Sequence, residues 1–342
     1  MSLTRSAPDV LHRARDLVDE ALHGAVDKLS PELRPMVSYH LGWSDADGRP
    51  EPHSGGGKGV RTALAVLSAE AVGARPEIAV AGAVAVDLVH NFSLVHDDLI
   101  DHDVERRHRP TVWAVFGTGQ AVIVGDALLA LAQESVLDAP CRPEEAVRAG
   151  RCLAEATSAM VAGQALDMVF GGLAGVSVDR CLAMEAAKTG ALLGCASSIG
   201  AILGGASVPV VEALRVYGVQ LGLAFQAVDD LLGIWGDPVV TGKPAWSDLR
   251  ERKKSLPVTA ACTAAGTHSG ELVELLAREH LDDRDIARAA ALVELGGGRD
   301  AAMSEARSRL GLAVAALDAV PLERPARDEL VEVAEFVVGR EH

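Results

Sequence analysis

Apolar positions recur at three- and four-residue intervals along most of this chain, while the two-residue alternation of a half-buried strand is scarce. The pattern predicts helices over 9–28, 58–73, 77–105, 119–138, 143–170, 177–203 and 208–236. A further helix opens at Ser30-Pro31-Glu32, where Ser can cap and Pro fits the first helical position. Residues 44–57 and 241–248, rich in Gly, Pro and Asp, are long loops, and the more polar C-terminal third divides into shorter helices. No internal repeat, heptad or low-complexity tract interrupts this order. The expectation is an all-α protein, a single large helical domain over residues 1–342.

Composition sharpens that picture. Hydrophobic residues reach 49% but aromatics only 3%, so Ala, Leu, Val and Gly must fill the core, which suits closely approaching helices. Residues 189–211 carry no charge and are long enough to span a bilayer. Gly, Ser, Thr and Pro dilute their apolarity, so they read as a buried helix pair broken near Gly204 or Pro209, without stable membrane insertion. The formal charge of −16 argues against nucleic acid as a partner, because phosphate backbones are held by positive surfaces. Five cysteines with no C-x-x-C spacing suggest neither a disulfide framework nor structural zinc. The N-terminus has no apolar stretch of the kind a signal peptide needs, and a cytoplasmic location is expected.

Two acidic clusters carry the chemistry. Asp97-Asp98-Leu99-Ile100-Asp101 ends a long apolar helix, and Asp97 and Asp101 fall one turn apart on one face. A helix C-terminus disfavours negative charge, so a cation is the better explanation for carboxylates there. A second pair, Asp229-Asp230, follows in FQAVDDLLGIWGD. If the two helices face each other, their carboxylates can hold Mg²⁺ against a bound diphosphate, since Mg²⁺ takes one or two carboxylates plus phosphate oxygens. Cations stand ready at Lys58 and Arg61, at Arg106 and Arg107, at Lys188, and at Lys243, Lys253 and Lys254. The Gly55-Gly56-Gly57-Lys58 run lacks the spacing and preceding strand of a nucleotide loop.

Taken together, GGKGVR (56–61), HNFSLVHDDLID (90–101), RRHRPT (106–111), GDALLALA (125–132), KTG (188–190), FQAVDD (225–230) and TGKP…DLRERKKSLP (241–257) resemble the trans-isoprenyl diphosphate synthases. The match runs in order over about residues 50–260. It implies a helical bundle around a deep cavity, usually a homodimer, that condenses isopentenyl diphosphate with an allylic diphosphate by ionisation, condensation and elimination. By this resemblance Asp97, Asp101 and Asp229 are ligands for two or three Mg²⁺ ions, supported by Asp98 and Asp230. Arg106, Lys188, Lys243 and Lys254 hold the allylic diphosphate, and Lys58, Arg61, His90 and Arg107 hold isopentenyl diphosphate. Thr189 and Gln226 line the reacting carbons.

The second acidic motif departs from D-D-x-x-D, with Gly233 in its third acidic position. Phe92 and Ser93, five and four residues before Asp97, pair one bulky with one small side chain. In the family that pairing points to geranylgeranyl diphosphate, with Phe92 as the floor of the chain pocket; the alternative floor lies a turn deeper, around Leu88 and Val89, or in the other subunit. Two other readings differ in class. A class I terpene cyclase shares the first acidic motif but needs no second basic pocket, and its N-D-x-x-S-x-x-x-E motif is missing. A non-catalytic partner subunit of a synthase has no need of both acidic motifs together with the basic positions.

Overall fold

The computed structural model describes residues 8–51, 59–173, 175–237 and 245–339, so Lys58 and Lys243 lie outside the described residues. The chain folds as helices α1 (Asp9–Val26), α2 (Arg34–His40), α3 (Val60–Glu70), α4 (Val80–Ile100), α5 (Val112–Phe116), α6 (Thr118–Leu137), α7 (Pro143–Gly171), α8 (Val178–Glu185), α9 (Ala191–Leu203) and α10 (Val208–Trp235). Shorter elements follow as α11 (Ser247–Arg250), α12 (Leu256–Thr263), α13 (Thr267–Leu276), α14 (Asp283–Leu295), α15 (Gly298–Asp318) and α16 (Arg324–Val338). The all-α expectation therefore holds.

Glycine and small residues set the packing. A Cβ on Gly200 of α9 would strike the Ala65 carbonyl of α3, and one on Gly218 of α10 would strike the Leu193 carbonyl of α9. The three backbones thus approach more closely than larger side chains allow, which is how a core nearly without aromatics reaches native density. Every residue of α9 from Leu192 to Leu203 is buried, and the chain breaks after Leu203 before α10 begins at Val208. The uncharged stretch is protein core from Leu192 to Leu203, whereas Gly204, Gly205 and Ser207 to Pro209 are exposed.

Three boundaries differ from the sequence pattern. The helix expected over 77–105 begins as a 3₁₀ turn, Pro76–Ala79, and ends at Ile100. Beyond it Glu105–Arg106 pairs antiparallel with Arg109–Pro110 in a small hairpin. Its two turn residues, Arg107 and His108, adopt positive φ of 54° and 62°, which favours the hairpin twist but strains side chains larger than glycine. The single helix expected over 177–203 is instead divided by a π-helical turn at Ala186–Gly190. Near Ser30, whose carbonyl accepts from the amides of Leu33 and Arg34, the regular helix starts only at Arg34.

Candidate active site

The polar end of α4 delivers Asp97, Asp98 and Asp101 to one region. Burial pushes the Asp97 carboxyl up to about 6 and raises that of Asp101, against the opposing pull of Lys188 on both. Asp98 is 2% exposed and accepts a 2.6 Å hydrogen bond from Arg106 Nε; burial nevertheless pushes it to about 6. The hairpin makes that pairing, because it folds Arg106 back over the helix end it follows.

Lys188 and Thr189 sit on the π-helical turn. The turn rests on Gly163 of α7, where a Cβ would overlap the Lys188 backbone. One extra residue in a turn shifts the side chains that follow, which is a common device at functional sites. Lys188 Nζ donates to Asp167 Oδ2 at 2.6 Å, while Thr189 Oγ1 donates to Gln226 Oε1 at 2.9 Å. Gln226 Nε2 then donates to Asp230 Oδ1 at 2.9 Å, and Asp230 Oδ2 accepts from the Leu256 amide at 2.7 Å. Asp230 is thus an interior anchor, its carboxyl driven up by burial. Asp229, its neighbour, is exposed on α10.

Lys253, just after α11, pairs with Glu251 at 2.9 Å. It feels the charges of Asp248 and Asp101, and its ammonium is held above its ordinary range by its partners, Glu251 foremost, although burial opposes this. Lys254, to which the sequence reading gives the diphosphate, lies within electrostatic reach of Cys262 of α12. Arg252, just before Lys253, adopts a positive φ of 56°, and Lys253 lies within electrostatic reach of Asp101.

A basic pocket lies further back along α4 and adjoins the acidic residues, since Asp98 and Arg106 line the cavity beside it. Arg61, Arg107, His40 and Arg106 all act on His90, whose imidazole burial holds well below its usual range and so keeps neutral. Arg61 is itself lowered to about 10 by burial, and Asp87 partly compensates it. His40 is lowered to about 4, again by burial, and its Nε2 lies 3.1 Å from Asn91 Oδ1. A cavity lined by Tyr39, His40, Asn91, Arg106 and Arg107 opens beside this cluster. Buried cations that outnumber their acids suit an anionic ligand.

Phe92 is 7% exposed and stacks edge-on against His96, with ring centroids 4.9 Å apart. The His96 ring lies over Gly125 of α6, so the pair faces that helix. Ser93, on the Asp97 side of α4, donates to the His90 carbonyl at 2.8 Å.

Sequence reasoning missed Asp167, Gln164, Asp87 and His40, and named Lys253 only as a nearby cation. Gly163-Gln164-x-x-Asp167 was the available signal for the first two, since the sequence puts a helix-weakening glycine one turn before an acid on the same helix. The buried Gln164 Oε1 has no hydrogen-bond partner among the described residues.

The acidic region suits Mg²⁺. Among the described residues no three His, Cys, Asp or Glu side chains are grouped closely enough to hold a metal ion by themselves, so phosphate oxygens would have to complete the Mg²⁺ shell. The desolvated Asp97 and Asp101 carboxyls gain from a cation what burial takes from them.

Comparison with known proteins agrees. The polyprenyl synthetase family model matches residues 52–293. The chain is 47% identical to a (2E,6E)-farnesyl diphosphate synthase of Mycobacterium tuberculosis, covering 99% of this chain and 95% of that one. It is 42% identical to a geranylgeranyl diphosphate synthase of the same organism, over 97% and 93%. Among solved structures, a polyprenyl synthetase from Streptomyces coelicolor superposes with TM-score 0.92 at 52% identity, covering 97% of this chain and all of that one. A polyprenyl synthase from Caulobacter crescentus, complexed with calcium and isoprenyl diphosphate, gives 0.84 at 30% identity, over 99% and 100%. With two acidic motifs, a cationic pocket beside them and relatives matching end to end, this chain belongs to the Mg²⁺-dependent polyprenyl synthetase family and is a trans-prenyl diphosphate synthase.

Proposed function

We propose that the chain extends dimethylallyl, geranyl and farnesyl diphosphates with isopentenyl diphosphate to geranylgeranyl diphosphate, as a homodimer. The two-substrate reading is supported by two adjoining groups of cations along α4, with Arg106 bordering both. Lys188, Arg106 and Lys253 stand by the acidic helix ends, whereas Arg61, Arg107 and His90 gather in the buried pocket. A cyclase, with one diphosphate to bind, has no use for the second.

Asp97, Asp101 and Asp229 would hold two or three Mg²⁺ ions, and bound ions supply charge neutralisation of the departing diphosphate. Arg106, Lys188 and Lys253 bind that diphosphate, with Lys243 a further donor carried by the family motif. Arg61, His90 and Arg107, with Lys58, fix isopentenyl diphosphate so that its alkene meets the ionised allylic carbon. The Thr189 and Gln226 oxygens face the developing positive charge, their orientation set by the hydrogen-bond chain to Asp230. The proton lost after condensation passes to the released diphosphate.

Product length rests on Phe92 with Ser93. A ring fixed by His96 is not displaced from a close-packed interior without strain, and it limits growth more than two small residues would. A farnesyl product is the second reading, favoured by the higher identity to the farnesyl synthase, 47% against 42%. Incubation with labelled isopentenyl diphosphate and each starter, then chromatography of the dephosphorylated products, separates them. Twenty-carbon alcohol from every starter supports the proposal, and accumulation of fifteen-carbon alcohol with farnesyl diphosphate left unextended replaces it.

A further inference from the structure

None of the five cysteines takes part in the chemistry proposed above, all five are free thiols, and two of them meet. Cys152 of α7 is half-buried, while Cys195 of α9 is 1% exposed. The Cys195 thiol donates a hydrogen bond to the Cys152 sulfur, which lies 3.9 Å from Ser198 Oγ, one turn further along α9. That bond lowers the Cys152 thiol below its ordinary range, with Ser198 and Arg215 of α10 adding to it and burial opposing, and it raises Cys195. One half-buried sulfur is thus inclined toward thiolate, and a protonated partner is aimed at it. A thiolate within reach of solvent and beside a second thiol is the arrangement that peroxide converts to a disulfide.

The place of the pair makes a cross-link consequential. Asp167, Lys188 and Thr189 all lie between Cys152 and Cys195 in the sequence, so a bond there closes a covalent loop around them. On α7, Gly163 already leaves no room for a Cβ against the Lys188 backbone, so that contact cannot absorb a shift of α7 against α9 without moving Lys188. We propose that Cys152 and Cys195 are a peroxide-sensitive pair whose disulfide slows the enzyme by shifting α7 against α9. Hydrogen peroxide is the oxidant. The Cys152 thiolate attacks one peroxide oxygen, the O–O bond breaks, and the departing hydroxide takes up a proton, leaving water and a sulfenic acid on Cys152. The Cys195 sulfur then attacks the Cys152 sulfur, the S–O bond breaks, and the hydroxide leaves with the Cys195 proton as a second water. Two thiols have then reduced one peroxide. The cross-link itself does not depend on the substrate reading, whereas its effect on turnover rests on it.

The experiment treats reduced wild type, Cys152→Ser and Cys195→Ala with excess hydrogen peroxide, then maps the alkylated, digested proteins by mass spectrometry, with circular dichroism to follow folding. Wild type should yield peptides joined through Cys152 and Cys195 and lose turnover by about tenfold or more, as a small misplacement of a site residue does, and dithiothreitol should restore it. Cys152→Ser should start at the wild-type rate and keep it in peroxide. Cys195→Ala, which lacks the second thiol, should stop at a sulfenic acid on Cys152 that dimedone traps. Wild type without the linked peptide, or linked protein that turns over at the reduced rate, overturns the proposal, as does a Cys152→Ser protein that peroxide inactivates equally. If the reduced wild type elongates no allylic diphosphate, the substrate reading has failed instead, and the linked peptide still decides the pairing.

Discussion

Replacing Asp97 by Asn should make the metal-free protein more stable while removing its catalytic use. Burial raises the Asp97 carboxyl from 3.8 to about 6, even with Lys188 nearby. A folded-state value above the unfolded one means that the folded chain binds the proton more tightly, so ionising Asp97 works against the fold. Two units correspond to about 3 kcal/mol at pH well above 6. Asn presents no charge to desolvate, and Lys188 keeps its 2.6 Å bond to Asp167. The variant should therefore gain up to about 3 kcal/mol at pH 8, a shift of about 1 M in urea midpoint for a slope near 3 kcal/mol per molar. The gain should fade between pH 6 and pH 4, where the wild-type carboxyl becomes protonated in both states. The assay is urea denaturation in EDTA at pH 8 and pH 4.5, followed by circular dichroism. A variant no more stable than wild type at pH 8, or equally stabilised at both pH values, refutes the desolvation argument.

Other substitutions separate the two pockets. Arg107→Ala and His90→Ala should raise KM for isopentenyl diphosphate about tenfold or more while shifting that for the allylic partner less, and Arg106→Ala should show the opposite bias, since a hydrogen bond to a charged group contributes about 1.5–3 kcal/mol. Steady-state kinetics with each substrate varied in turn decides this, and equal effects would mean the pockets are misassigned. Gln226→Leu breaks the chain from Thr189 to Asp230 and should lower kcat by roughly 100-fold with little change in either KM, an effect of the size seen when one preorganised dipole is lost. Phe92→Ala should lengthen the product, read by chromatography, at a stability cost of about 3 kcal/mol for the cavity. An unchanged product from a folded, active variant moves the floor elsewhere.

The helical class and both acidic motifs were legible because each rests on local spacing. Asp97 and Asp101 share a face by helix geometry alone, and the small-residue composition of α9 already demanded close packing. What escaped depended on backbone turns that spacing does not encode. The hairpin after Ile100 requires positive φ at Arg107 and His108, residues that give no turn signal of the Asn-Gly kind. The same holds for Arg252, whose left-handed conformation, φ 56°, carries no turn signal of that kind. Asp248 is fifteen residues from Gly233 in sequence, and only the fold shows that its carboxyl lies against the glycine.

The central claim is that the chain joins isopentenyl diphosphate to an allylic cation in a Mg²⁺-dependent reaction. The most direct measurement is conversion of labelled isopentenyl diphosphate, in the presence of geranyl diphosphate, into an acid-labile allylic product, with Mg²⁺ and again with EDTA. The account predicts labelled, acid-labile product of at least fifteen carbons with Mg²⁺ and none with EDTA. Label that stays in isopentenyl diphosphate at saturating Mg²⁺, or extension that proceeds undiminished in EDTA, contradicts it.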